Sequence, residues 1–323
     1  MAASPKIKAA RLSLATAAAL MLIKLVTGVA TGSLAVISSA IDSLLDILMS
    51  GINLLAIRQA EQPADSDHPF GHGKYETLAT LFQSLVIAAS GSWIIYESAH
   101  RLTRGAEVAR LGSGIGVLAL SAAVSWWIGR YLRRAADRTD SSALRADALH
   151  FSMDLYTNLA LMAGLAIIAF TGATWLDPAL SLLVALYIIF EALRLVRHGL
   201  RDVLDEQLPE AVREEVSSLI EAHKGELLDY HNLRTRRAGS QKIMDFHLTV
   251  CKHLSVAEAH AIADHLEKRI EQEIRGADVT IHIEPCQQAD CPGRQHCTTD
   301  RARLGPDEDH KCNGTTKNQP PEN

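Results

Sequence analysis

A disulfide framework is missing from this chain. All five cysteines, Cys251, Cys286, Cys291, Cys297 and Cys312, fall late in the sequence, and an odd count outside a small secreted scaffold does not build one. Charge of one dominant sign is missing too. Lys and Arg number 32 against 37 Asp and Glu, a net −5, which gives no reason to expect a nucleic-acid partner. A nucleotide-binding loop is absent: no G-x-x-x-x-G-K-[ST] occurs, and "GHGK" (Gly71–Lys74) is not one. Any pumping would therefore have to draw on an ion gradient. Above all, charge is scarce up to about residue 200 and abundant after about 205, which divides the chain into a membrane portion and a soluble one.

What fills the first portion is apolar sequence in runs long enough to cross a bilayer, about 20 residues each. Six spans are expected: Leu12–Ala30, Leu34–Ile57, Thr77–Tyr96, Leu111–Gly129, Ala148–Phe170 and Trp175–Val196. Lys6, Lys8 and Arg11 before the first run imitate a signal peptide, but the run is too long and more spans follow, so it is expected to be a transmembrane helix. The connections "TGS" and "TGATWLD" carry no Lys or Arg. The N-terminus and the exits of spans two, four and six are basic, which orients both termini to the cytoplasm. The segment with Arg101, Arg104 and Arg110 runs against that orientation and is outvoted.

Beyond Leu208 the pattern changes period. Val212, Val216, Leu219 and Ile220 recur at helical spacing within Pro209–His223. His231–Val250 reads as a hairpin about Ala238-Gly239-Ser240, with His231 ahead of the first strand and Phe246, Leu248 and Val250 alternating with His247 and Thr249. Ser255 and Glu258 form a capping box for a helix to Ile274, and Asp278–Pro285 alternates as a third strand. The expected fold is an α-helical membrane protein: a six-helix transmembrane domain over residues 1–207, then a cytoplasmic α+β domain over 208–286 in the order αββαβ. A polar tail follows over 287–323, expected to be disordered.

Chemistry-bearing residues gather in four places. Span two contains "DSLLD", with Asp42 and Asp46 one helical turn apart. Two like charges there are costly, a few kcal/mol each on insertion scales, unless a cation offsets them. Span five supplies "HFSMD", with His150 and Asp154 at the same spacing. Three carboxylates and one imidazole make a tetrahedral N/O set that suits Zn²⁺; the alternative is a polar cavity binding only protons or water. Asp42 and His150 meet only if helix five begins near Ser141, earlier than hydropathy places it.

The loop "ADSDHPFGHGKYE" holds Asp65, Asp67, His68 and His72 among turn-forming Pro and Gly residues. Asp65, His68 and His72 could close on a metal, or form a pH-sensitive histidine pair. In the soluble part His247, His282 and Glu284 share the polar sheet face. His231 and His260 belong to neighbouring elements, and His253 and His265 lie nearby in sequence. Cys286, Cys291, His296, Cys297, His310 and Cys312 near the end are too irregularly spaced for a zinc ribbon and read as free thiols of the tail, against a soft-metal scavenger.

Taken together, "DSLLD", "HFSMD", "QPADSDHPFGHGK" (Gln62–Lys74) and "IHIEPC" (Ile281–Cys286) resemble the cation diffusion facilitator family of metal efflux transporters, nearest its bacterial zinc and ferrous-iron branch. The resemblance implies a homodimer in the bacterial inner membrane with a ferredoxin-like cytoplasmic domain. It implies export of a divalent cation (Zn²⁺, with Fe²⁺, Cd²⁺ or Mn²⁺ as other cargoes) against protons by alternating access. It implies a transport site of Asp42, Asp46, His150 and Asp154, a loop site of Asp65, His68 and His72, and a binuclear site at the dimer interface from His231, His247, His260, His282 and Glu284. It also implies a charge interlock of Lys74 with Asp205. Glu284 stands where the branch usually has Asp. A membrane metal sensor is the competing function; a metallohydrolase lacks a spare general base, so no enzyme is expected.

Overall fold

The computed structural model describes residues 4–31, 34–104, 115–171, 175–223 and 228–287; within helices the side chains of Thr31, Leu34, Ala35, Val36, Ser38, Asp42, Arg104, Leu165, Ala169 and Asp177 fall outside that description. The chain forms two compact units, dividing at Leu204/Asp205.

The first unit is six helices: α1 (Pro5–Thr31), α2 (Leu34–Ala60), α3 (Lys74–Arg104), α4 (Ile115–Thr139), α5 (Ser142–Thr171) and α6 (Leu176–Val203). All six are long and apolar enough to cross a membrane. In lipid, every backbone N–H and C=O must be satisfied within the protein, which a helix does for itself. Large apolar side chains such as Leu22, Val26, Leu48, Leu85, Trp93 and Trp126 point outward, as lipid-facing residues do. The helices pair most extensively as α1 with α2, α3 with α6 and α4 with α5. Gly91 and Gly199 allow the α3–α6 approach: a Cβ on Gly91 would meet Ile189 at 2.8 Å, and one on Gly199 would meet Leu81 at 2.7 Å.

α5 is the axis of this unit. Ala143, Leu144, Ala148 and Phe151 join one apolar cluster with α1, α2 and α4. Ala146 and Leu149 join another, with Ile87 of α3 and Ile188, Ala192 and Leu195 of α6. From Ser142 to Phe151 every residue but Arg145 is therefore buried. α5 begins at Ser142, six residues ahead of the hydropathic start at Ala148. The polar residues that hid this start from a hydropathy window are buried against polar partners. Ser141 Oγ donates to Glu76 Oε2 at 2.8 Å, Thr80 Oγ1 donates to Ser142 Oγ at 3.0 Å, and Asn53 Nδ2 donates to the Ala143 carbonyl at 3.0 Å.

The second unit opens with α7 (Glu210–Glu221), then β1 (Asp229–Ala238), β2 (Gln241–Val250), α8 (Val256–Glu273) and β3 (Ala277–Pro285). The sheet order is β1-β2-β3, antiparallel between β1 and β2 and parallel between β2 and β3, with α8 as the crossover. The Ser255/Glu258 capping box starts α8. Val216 and Ile220 of α7, Ala259, Leu266 and Ile270 of α8, and Met244, Phe246, Leu248 and Val279 of the sheet form the core on one face. Strand alternation then sends His247, His282 and Glu284 to the other face.

β1 corrects the expectation for His231. The strand starts at Asp229, so His231 lies inside it, directly opposite His247. Its presence on that face depends on a β-bulge between His231 and Arg234, where Asn232 takes a φ of 54°. One extra residue reverses the alternation, so His231 is on the polar face while Thr235 pairs with Met244 on the core side. Cys286 also differs from expectation. It follows β3 directly and is packed onto the domain: it is buried, and its N–H donates to the Val250 carbonyl at 2.9 Å. Cys291, His296, Cys297, His310 and Cys312 lie outside the described residues.

At one end of the bundle, Lys6 Nζ of α1 lies 2.7 Å from Glu76 Oε1 of α3, and Glu76 is 1% exposed. This buried pair ties the starts of α1, α3 and α5 together. Removing one partner of such a pair costs about 3–5 kcal/mol, whereas replacing both with apolar groups is often neutral. Glu76→Leu should therefore lower the thermal unfolding midpoint of the detergent-solubilised protein, and the Lys6→Met/Glu76→Leu double variant should recover most of the loss. Equal destabilisation in both variants would show that the ion pair is not what holds these helix ends.

Candidate metal centres

Among the described residues, three groups of side chains bring ligand atoms within 4.8 Å of one another: Asp46 with His150 and Asp154, Asp65 with His68 and His72, and His231 with His247 and Glu284.

The first lies inside the helical bundle. α5 carries His150 and Asp154 one turn apart, so both present to the same neighbour, and α2 brings Asp46 across to them. His150 Nε2 is 2.9 Å from Asp46 Oδ1, and the two side chains are 8% and 18% exposed. Asp42 is placed by α2 one turn before Asp46; its side chain lies outside the described residues. The early start of α5 is what lets His150 reach α2, because a helix beginning at Ala148 would carry it at its frayed end. Two carboxylates and an imidazole gathered in a low-dielectric interior form a donor set for a borderline dication.

The second group is built by a turn. Gly71 adopts a φ of 76°, a conformation other residues resist. Asp65 Oδ1 accepts from the backbone N–H of His68 at 2.7 Å and of Asp67 at 3.0 Å. That fixes the carboxylate, whose two oxygens each lie 3.2 Å from a histidine: Oδ1 from His68 Nδ1 and Oδ2 from His72 Nε2. The His68 backbone N–H, with the His68 ring and the Asp67 N–H behind it, holds the Asp65 carboxyl below the usual carboxylate range. It is therefore ionised, as a ligand must be. His72 is buried, and its Nδ1 has no partner among the described residues. Asp67 offers only its N–H to the turn.

The third group is a row across the sheet. Register places His231, His247 and His282 side by side on β1, β2 and β3. Their rings follow at centroid distances of 5.1 Å (His231–His247) and 4.8 Å (His247–His282). Glu284 reaches back along β3 and offers one oxygen to each of two rings: Oε1 is 2.8 Å from His247 Nδ1, and Oε2 is 3.3 Å from His231 Nε2. His282 Nε2 is 3.8 Å from Glu284 Oε1 and is the most exposed of the set. The Glu284 side chain thus spans both rings. His260, on the exposed side of α8, is not brought into this group within one chain. Of the two remaining histidines named from sequence, His265 stacks edge-on against His223 at 5.4 Å.

Lys74 opens α3 in the first unit. Asp205 opens the second, at a φ of 53°, with Oδ1 3.6 Å from Arg236 Nη1.

Sequence reasoning passed over Asp147. It is fully buried on α5, one turn before His150, with Ser50 and Gln83 beside it. Its spacing of three from His150 was the available signal.

Residues 10–204 match the family of cation efflux transmembrane domains, and residues 208–286 match the cytoplasmic domain of cation efflux proteins. Curated relatives include the cation-efflux pump FieF of Salmonella newport and of Salmonella typhimurium. Each is 35% identical over 288 residues, covering 89% of this chain and 95% of the relative. A solved structure of CzrB in its zinc form is 41% identical over a match that covers 25% of this chain and 92% of that one, with a TM-score of 0.24. Six helices fit to cross a membrane, the intramembrane carboxylate–imidazole group and the two matched domains lead to one conclusion: the chain is an integral membrane protein of the cation efflux (cation diffusion facilitator) family of transporters.

Proposed function

We propose that this transporter exports Zn²⁺ from the cytoplasm in exchange for protons, by alternating access about a site formed by Asp42, Asp46, His150 and Asp154. The observation that carries the reading is the Asp46–His150 contact at 2.9 Å, with Asp154 in reach, inside helices that cross the bilayer. Ionisable groups at that depth are costly and mark ion pathways. One imidazole among carboxylates suits Zn²⁺ and Fe²⁺ over harder ions such as Mn²⁺. Metal requires the carboxylates ionised and the imidazole neutral, so the dication and protons compete for the same atoms. That competition is the coupling. Protons arriving from outside displace the metal, and cytoplasmic metal displaces the protons. The basic segments favour both termini in the cytoplasm of a bacterial inner membrane. A membrane metal sensor would leave the intramembrane group without a role.

The experiment is zinc-driven proton movement in liposomes holding the purified protein, with Fe²⁺, Cd²⁺ and Mn²⁺ as competitors. The wild type is expected to acidify the zinc-loaded side, and Asp46→Ala to fall to the background of empty liposomes while remaining folded. Near-normal flux in Asp46→Ala would remove the transport-site assignment.

The two other groups sit outside the spans, so no ion needs to cross them. The His231, His247, His282 and Glu284 face is half-exposed and open on its solvent side, which suits closure by a second copy in a homodimer that includes His260. Bound metal would neutralise Glu284 and draw two cytoplasmic domains together. Replacing His247 and His282 by Ala should weaken metal binding to that domain at least about tenfold, more than losing a supporting contact. It should also raise the zinc concentration that activates flux. Unaltered activation in the double variant would show that this face does not regulate transport.

A further inference from the structure

Asp147 is a carboxylate with no part in the metal centres, and it is 0% exposed within the packed first half of α5. Its Oδ1 accepts long hydrogen bonds from Ser50 Oγ of α2 at 3.4 Å and Gln83 Nε2 of α3 at 3.5 Å. Ser13 of α1 and Asn53 of α2 stand beside it as further neutral donors. No Lys or Arg pairs with it among the described residues, whereas buried carboxylates are ordinarily paired with a cation. Three buried oxygens here have no hydrogen-bond partner among the described residues: Asp147 Oδ2, Asn53 Oδ1 and Gln83 Oε1. Asn53 cannot resolve this by turning its amide over, because its Nδ2 is committed to the Ala143 carbonyl at 3.0 Å. A group of acceptors with too few donors, around one uncompensated negative charge, is chemically short of a proton.

We propose that Asp147 is a second proton-binding station of the transporter, separate from the metal ligands, holding a proton while the metal site is empty and releasing it when the dication enters one helical turn away. This rests on the proton-coupled reading above. A proton on Oδ2 turns one of the three orphan acceptors into a donor and removes the uncompensated charge. The same group of neutral amides and hydroxyls is a weak ligand set for a dication, which prefers the carboxylates and imidazole a turn away.

The charged groups around Asp147 are few. On its own helix His150 lies one turn on and Asp154 a further turn. On α2 Asp46 lies one turn beyond Ser50. On α3 Glu76, two turns from Gln83, is held by Lys6 of α1. A dication bound at His150 is thus the largest nearby change in charge, and it favours the ionised carboxyl. The carboxyl that remains keeps the Ser50 hydroxyl as a donor to its Oδ1, with Ser13 Oγ 3.0 Å behind Ser50 Oγ, and the released proton passes to solvent.

The test counts protons released per zinc bound, using a pH dye on the full-length protein in detergent, and reads the pH profile of zinc flux in liposomes. Protons from the loop and cytoplasmic groups are common to all variants and cancel in the difference. Asp147→Asn is expected to bind zinc with unchanged stoichiometry, to release up to one proton fewer per zinc, and to flatten the pH profile of flux. Release and profile identical to the wild type would overturn the proposal while leaving the transport site intact. Should Asp147→Asn fail to fold, Asp147→Glu keeps the carboxyl on a longer arm and is expected to move the pH midpoint of release; an unmoved midpoint overturns the proposal. Wild-type zinc flux without any proton counterflow would overturn it together with the antiport reading on which it rests.

Discussion

The contact between Asp46 and His150 is the constraint around which the membrane unit is arranged. A carboxylate in the hydrocarbon region costs a few kcal/mol or more, and it is tolerated only where a partner shares the charge. The partner here is an imidazole from another helix, 2.9 Å away. For α5 to deliver it, the helix must begin at Ser142 and run its first turns through the middle of the bundle. That demands small side chains on the faces of α5 that its neighbours approach, which Ala143, Ala146 and Ala148 provide. It also demands partners for Ser141, Ser142 and the Ala143 carbonyl, which Glu76, Thr80 and Asn53 supply.

The cytoplasmic domain solves a related problem by different means. There the side chains are aligned by strand register, and the three histidines share one row because β2 is central to the sheet. A hydrophobic core on the opposite face makes a slip of register costly, since one residue would send Phe246 and Leu248 to solvent and the histidines inward. The same core that folds the domain therefore fixes the spacing of the histidine row. Since the sheet holds one side of the row only, the face remains open to a second copy.

Much of this was legible in the residues. Six spans were readable because apolar runs of that length have few other uses. The paired motifs of spans two and five were readable because carboxylates and His at one-turn spacing are out of place in such runs. Hydropathy alone placed the start of α5 at Ala148, because Ser141, Ser142 and Asp147 are polar; the early start near Ser141 was legible only from the need to bring His150 to Asp42, and α5 begins at Ser142. The placement of His231 was hidden for another reason: a bulge at Asn232 breaks the alternation on which strand reading depends. Cys286 was read both as the last residue of the 208–286 domain and, by cysteine spacing, with the thiols of the tail; its N–H bond to the Val250 carbonyl favours the first. Asp147 was overlooked since nothing in its neighbourhood in sequence marks the amides that surround it in space.

The central claim is that the dication is held within the bilayer by α2 and α5, apart from the loop and the cytoplasmic sheet. Anomalous scattering at the zinc edge from zinc-soaked crystals of the full-length protein tests it most directly. The account predicts a peak between Asp46, His150 and Asp154, lost in Asp46→Ala, in addition to peaks at the loop and the sheet. Peaks at the loop and the sheet alone, with none between α2 and α5 in the wild type, would contradict it.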